Sequence, residues 1–263
     1  MSPNPVPGLS SEPAGAGKTV VIVQSNYLPW RGYFDLMRRA DEFILLDSVQ
    51  YTRRDWRNRN TIKTPTGPQW ITVPVEVKGR YRTAIDEMRV ADPGFADKHV
   101  RAIELNYRKA KAFEQVAPWL FGLLREASRS PLLSTVNEQL LVALARHLEI
   151  MTPIRRCTDL VKREAMNGMD PSERLLALCK AAGATNYLSG PSARGYLDEW
   201  RFREAGVRVS WMDYSSYPEY PQLWGPFAPA VSIVDLVLNT GAAAPLYVSP
   251  GPAAVSELKH GRV

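Results

Sequence analysis

Residues 20–46 read VVIVQSNYLPWRGYFDLMRRADEFILL, and this stretch decides the fold. Val20-Val21-Ile22-Val23 is a short unbroken apolar run, the pattern of a strand covered on both faces. Gln24 to Trp30 form a polar and aromatic loop containing Pro29. From Gly32 to Ala40 the apolar residues Tyr33, Phe34, Leu36 and Met37 fall at helical spacing. Glu42 to Leu46 then reads as a second strand. A strand, helix and strand joined by so short a crossover imply parallel pairing with a right-handed connection.

Outward from this unit, Asp47 to Lys63 is polar, arginine-rich and without periodicity, and is expected to be a loop or an irregular turn of helix. Gln69 to Val77 alternates as a strand that Pro74 pushes toward an edge or a bulge. Residues 93–127 and 134–149 are expected to be helical. In the second of these, Thr135 and Glu138 suggest a capping box, and Val136, Leu140, Leu144 and Leu148 make one apolar stripe. Asp170-Pro171-Ser172-Glu173 opens a further helix that Gly183 is placed to end. Asn186–Ser189 reads as a strand, Arg194–Glu204 as a helix, Val207–Asp213 as a strand, and Ser232–Leu238 as a closing helix. The prolines and aromatics of Tyr214 to Pro229 suit an ordered lid or surface loop over a site. The expected class is therefore α/β, a mostly parallel sheet with flanking helices and a helical middle region. A single domain over 19–245 is expected, with a helical insertion at about 93–150, a disordered leader at 1–18 and a flexible tail at 246–263.

With 263 residues, 45% of them hydrophobic, the chain can bury a full core without disulfides or a structural metal. Its two cysteines, Cys157 and Cys179, sit in no metal-ligand spacing, so no metal site is expected. No run approaches a membrane span and no signal layout opens the chain, which places it in the cytoplasm. A net charge of +6 favours an anionic partner. Ala14-Gly15-Ala16-Gly17-Lys18-Thr19 imitates a phosphate-binding loop, but Glu12 stands where the first glycine belongs and the stretch precedes the first strand.

Ligands of parallel sheets lie beyond the carboxyl ends of the strands. That rule selects three segments. The first holds Gln24, Asn26 and Tyr27. The second runs through Gln50, Tyr51, Arg54, Arg57, Asn58, Arg59 and Asn60 to Lys63, with arginine forks suited to phosphate or carboxylate and carboxamides suited to a base or a sugar hydroxyl. The third carries Ser189 and Gly190, a hydroxyl and glycine turn able to nest an anion. Asp47, at a strand end, is the candidate general base or metal-bound carboxylate. Asp55 is placed to orient a neighbouring arginine, and His99 stands between proton transfer and packing.

The series Gln24-x-Asn26-Tyr27-Leu28-Pro29-Trp30-x-Gly32-Tyr33-Phe34, Leu46-Asp47-x-Val49-Gln50-Tyr51 and Arg54-Asp55-Trp56-Arg57-Asn58-Arg59-Asn60 resembles the WbqC-like family. The likeness continues through Lys98-His99, Tyr107, Tyr187-Leu188-Ser189-Gly190 and Phe227-x-Pro229-x-x-Ser232-Ile233-x-Asp235-Leu236, spanning about residues 20–241. Ser25 departs from the proline of that pattern. The resemblance implies a place in O-antigen or other biosynthesis, and glycine transfer. The opening is also similar to nucleotidyltransferase-type (Rossmann-like) folds such as pantothenate synthetase, which activate a carboxylate with ATP, although Gly32-Tyr33 lacks their histidine. The resulting expectation is a transferase joining a small acyl or aminoacyl group, glycine first, to an amine on a sugar or related metabolite, with ATP or another activated acyl donor. The competing expectation is a nucleotide- or RNA-binding module, for instance for aminoacyl-tRNA, without catalysis. Homo-oligomerisation stays open.

Overall fold

The computed structural model describes residues 17–249, so most of the expected leader and tail lies outside the described residues. The chain runs β1 (Thr19–Val23), α1 (Arg31–Arg38), β2 (Glu42–Leu45), β3 (Arg59–Thr64), β4 (Gly67–Thr72), α2 (Phe95–Tyr107), α3 (Phe113–Ala127) and α4 (Leu133–His147). It continues through β5 (Ile154–Arg156), α5 (Arg163–Met166), α6 (Pro171–Ala181), β6 (Asn186–Ser189), α7 (Glu199–Glu204), β7 (Arg208–Trp211) and α8 (Ile233–Thr240). Five strands form one parallel sheet in the order β5-β2-β1-β6-β7. The architecture is α/β.

The apolar run of β1 serves two cores. Val21 packs with the larger cluster, built with α1, the three middle helices and α8, while Val20 and Ile22 pack with the smaller one around α6 and β6. On β2, Phe43 and Leu45 face the larger cluster and Ile44 the smaller. Alternate side chains of a strand point to opposite faces, so a strand covered on both sides reads as unbroken apolar sequence. The stripe of Val136, Leu140, Leu144 and Leu148 is wholly buried. Asp170 caps α6 through a true capping box with Glu173, and Gly183 follows the helix at φ +66°, where glycine is favoured.

Several expectations are corrected. Arg59–Lys63 is strand, not loop: β3 pairs antiparallel with β4 in a separate hairpin, turning at Gly67 with φ +113°. The second strand of that hairpin begins earlier and ends earlier than 69–77. The long helix at 93–127 breaks into α2 and α3, and β5 is an unanticipated edge strand. Thr135 and Glu138 form no capping box. Helix α4 starts at Leu133, whose N–H donates to the Met88 carbonyl, and Glu138 instead binds Arg156. Between 191 and 204 a 3-10 turn, Pro191–Gly195, precedes the short α7, which Asp198 caps. A 3-10 helix at Gly241–Tyr247 buries Ala244, and Val248 is also buried. Lys18 serves the fold, ion-pairing with buried Glu42 at 2.6 Å and donating to the Ala182 carbonyl.

Candidate active site

The ladder between β1 and β6 pairs Thr19 with Asn186 and Val20 with Tyr187, then stops. Each strand keeps its outer partner to the end, Val23 with Leu45 and Ser189 with Trp211. The two central strands therefore splay at their carboxyl ends. Here, too, the chain switches direction across the sheet, since β2 and β5 lie on one side of β1 and β6 and β7 on the other. Such switch points are where open parallel sheets hold ligands. The opening is a cavity of about 290 Å³ lined in part by Gln24, Arg57, Ser189, Gly190, Tyr187 and Tyr214.

The loop after β1 is strongly held. Leu28, fully buried, adopts φ +43°, a left-handed conformation that side chains other than glycine rarely take. Asn60 Nδ2 and Ser232 Oγ both donate to its carbonyl, at 2.9 and 2.8 Å. Tyr27 N–H bonds to the Trp56 carbonyl, and Ile233 N–H to that of Pro29. A Cβ on Gly32 would meet the Trp30 indole at 2.3 Å, so this glycine lets the ring fold over the first turn of α1. Strain maintained by surrounding bonds is a mark of functional loops.

Arg57 joins this loop to the arginine-rich segment. Its guanidinium reaches the Gln24 carbonyl (3.3 Å), the Ser25 carbonyl (3.5 Å), Asn26 Oδ1 and the Asp55 carboxylate (3.6 Å). Ser25, fully buried, donates its N–H to Asp47 Oδ1 at 2.8 Å, while Asn137 Nδ2 donates to its hydroxyl. A proline at 25 would have no N–H for Asp47. Burial pushes the Asp47 carboxyl up to about 6 against the pull of Ser25 and Arg57, and Asp86 adds to the rise. Asp47 lines not the crevice but a second, polar cavity of about 200 Å³, with Asp86, Glu138, Arg156 and Arg163. There Arg163 pairs with Asp86 and Arg156 with Glu138, both at 2.5 Å.

Of the other residues selected from sequence, Gln24, Asn26, Ser189 and Gly190 stand at the crevice or its rim, and Asn60 supports the loop. Others do not. Tyr27 and Tyr51 are core residues. His99 is buried between the Tyr27 hydroxyl (2.8 Å) and the Thr72 carbonyl (3.2 Å). Because a carbonyl only accepts, Nε2 carries the proton and Nδ1 accepts from tyrosine. Burial brings the imidazole down to about 4, so His99 is a neutral packing residue rather than a proton carrier. Gln50 points away, to the Tyr81 carbonyl. Asn58 is buried against the Val73 carbonyl. Lys63 is a strut to Gln222 and the Pro226 carbonyl.

Arg54 is exposed with φ +58°, its carbonyl taking Arg59, whose guanidinium lies over Trp70 at 4.1 Å. Asp55 accepts from the Thr52 hydroxyl and from Trp56 N–H. Burial raises its pKa, but Thr52 and Arg57 outweigh that and hold it below the usual carboxylate value, which suits it to fixing Arg57. Of the Tyr214–Pro229 segment, Tyr214 lines the crevice. Arg31 pins the rest of the segment at the Pro218 carbonyl and under Tyr217, Tyr220 and Phe227. Asp86, Glu138, Arg156 and Arg163 were not legible, because distant elements bring them to Asp47.

Among the described residues no group of three or more His, Cys, Asp or Glu is arranged to hold a metal, and no helix is long and apolar enough to cross a membrane. No solved structure matches the chain. It is 51% identical over 231 residues to the uncharacterized protein Rv1507c of Mycobacterium tuberculosis (strain ATCC 25618 / H37Rv), covering 88% of this chain and 97% of that protein. The model of the WbqC-like protein family matches residues 24–247. With both the strained loop and the Asp47 and Arg57 cluster inside that span, the chain belongs to the WbqC-like protein family.

Proposed function

We propose that this protein is a biosynthetic transferase. It holds an anionic, phosphate-bearing donor in the crevice between β1 and β6 and passes a small acyl or aminoacyl group, glycine in the simplest case, to an amine on a sugar or related metabolite. The observation that carries this reading is a buried carboxylate poised near neutrality at the strand ends, one residue from the arginine clamp: Ser25 touches both Asp47 and Arg57. In the reaction, the amine nitrogen bonds to the acyl carbon as the bond from that carbon to the leaving oxygen breaks. The amine approaches from the polar cavity that Asp47 lines, its proton passes to Asp47, which is largely ionised at pH 7, and charge on the leaving group in the crevice is met by Arg57. ATP or another activated donor supplies the leaving group.

The test is mass spectrometry of amino-sugar nucleotides incubated with protein, ATP and glycine, using wild type and Gly190→Leu. A Cβ at 190 would lie 3.5 Å from the Tyr214 hydroxyl, so small side chains fit and leucine reaches across the crevice. Wild type should add mass to the acceptor, and Gly190→Leu should lose the activity while remaining folded. Unchanged transfer by Gly190→Leu would remove the donor from the crevice. A non-catalytic RNA-binding role competes, because Arg53 and Arg54 are exposed beside half-exposed Trp56. Steep loss of RNA affinity with salt, and no transfer, would favour it.

A further inference from the structure

A third hollow, about 210 Å³, adjoins the crevice and is lined by Asn26, Pro29, Trp30, Trp56, Asn60 and Ala230. Trp30 walls both cavities. Trp56 is 44% exposed and Trp70 45%, large aromatic surface for a folded chain to leave in water. Their ring centroids lie 5.4 Å apart at 35°, so Trp56 is braced from beside, and the Arg59 guanidinium covers Trp70 in turn. The walls are mostly carbon. Asn60 is used up by the Tyr27 and Leu28 carbonyls and the Thr61 N–H. Asn26 gives its oxygen to Arg57, and its Nδ2 has no partner among the described residues.

We infer that this hollow takes the base of a nucleotide whose phosphates lie in the crevice. The inference rests on the donor reading above and specifies it. A heteroaromatic ring has two bare faces for indole walls and few edge groups, which a single amide donor can serve. A pyranose carries hydroxyls around its whole rim and would leave most of them unpaired here. Base-on-aromatic stacking is sequence-tolerant, so the base is fixed chiefly by stacking and by its acceptor to Asn26.

Calorimetric titration of ATP, UTP, ribose 5-phosphate and methyl glucopyranoside into wild type, Trp56→Ala and Trp56→Phe tests this. Trp56 is half-exposed, so both variants should fold, which circular dichroism checks. Stacking at the usual strength predicts nucleotide affinity weaker by roughly 10-fold or more in Trp56→Ala and largely restored in Trp56→Phe, with ribose 5-phosphate unaffected by either change. Nucleotide binding indifferent to Trp56, or Trp56-dependent binding of the glucoside in its place, would overturn the base assignment while leaving a phosphate site intact. Failure of ATP and ribose 5-phosphate alike to bind wild type would instead sink the donor reading, and this inference with it.

Discussion

Asp47→Asn is expected to abolish transfer and to make the protein more stable at pH 7. Loss of a positioned general base typically costs about 10²- to 10⁴-fold in rate. The stability gain follows from the raised pKa, from 3.8 to about 6. Between about pH 4 and pH 6 the unfolded chain has released this proton while the folded protein keeps it, so stability falls as pH rises through that window. Above pH 6 the full cost remains, on the order of 3 kcal/mol for a shift of about two units. Asparagine keeps the shape and can still accept the Ser25 N–H, but carries no buried charge. Urea denaturation should show the variant more stable at pH 7, with the difference closing below about pH 4. His99 works in the opposite sense over nearly the same range. Its pKa falls from 6.5 to about 4, so its contribution is complete above about pH 6.5 and is lost as pH falls toward 4. In the wild type the two slopes offset one another, and Asp47→Asn should expose the histidine's rise. A variant with ordinary activity, or one destabilised at pH 7, contradicts the role given to Asp47.

Arg57 variants should give the second large effect. The Arg57 side chain is 11% exposed and its fork reaches two carbonyls, a carboxamide and a carboxylate. Arg57→Met keeps the stem but leaves the Ser25 carbonyl and Asn26 Oδ1 without their donor and removes the cation beside Asp55, which Thr52 and Trp56 still hold. Buried acceptors left unpaired cost about 1–3 kcal/mol. Arg57→Lys retains the charge without the planar fork. It is expected to fold with a smaller loss and to bind a phosphate-bearing donor at least 10-fold more weakly, as measured by calorimetry. Wild-type affinity in Arg57→Lys would show that the arginine only braces the loop.

How much of this was legible in sequence depends on whether a signal was local. The strand, loop, helix and strand from Val20 to Leu45 could be read because unbroken apolar runs and helical spacing are properties of neighbours in the chain. Arg59–Thr64 hid its strand because polar Asn60, Thr61 and Lys63 are buried by bonds to distant partners, which no alternation reveals. Arg57, Asn26 and Asp47 could be found because strand ends are predictable sites. Gln50, Asn58 and Lys63 shared the same dense polar stretch, yet composition does not say which way a side chain points. The walls around Asp47 come from Asp86, Glu138, Arg156 and Arg163, and only the parallel placement of β5 beside β2 and the packing of α4 bring them together.

The most direct measurement is amide chemical-shift mapping by NMR as ATP is titrated into the labelled protein. A donor held between the splayed strands predicts saturable shifts that are largest at Gln24, Ser189 and Gly190, with the Arg57 side chain responding alongside them. Shifts confined to the exposed Arg53 and Arg54 surface, or no saturable response at the ends of β1 and β6, would contradict the account.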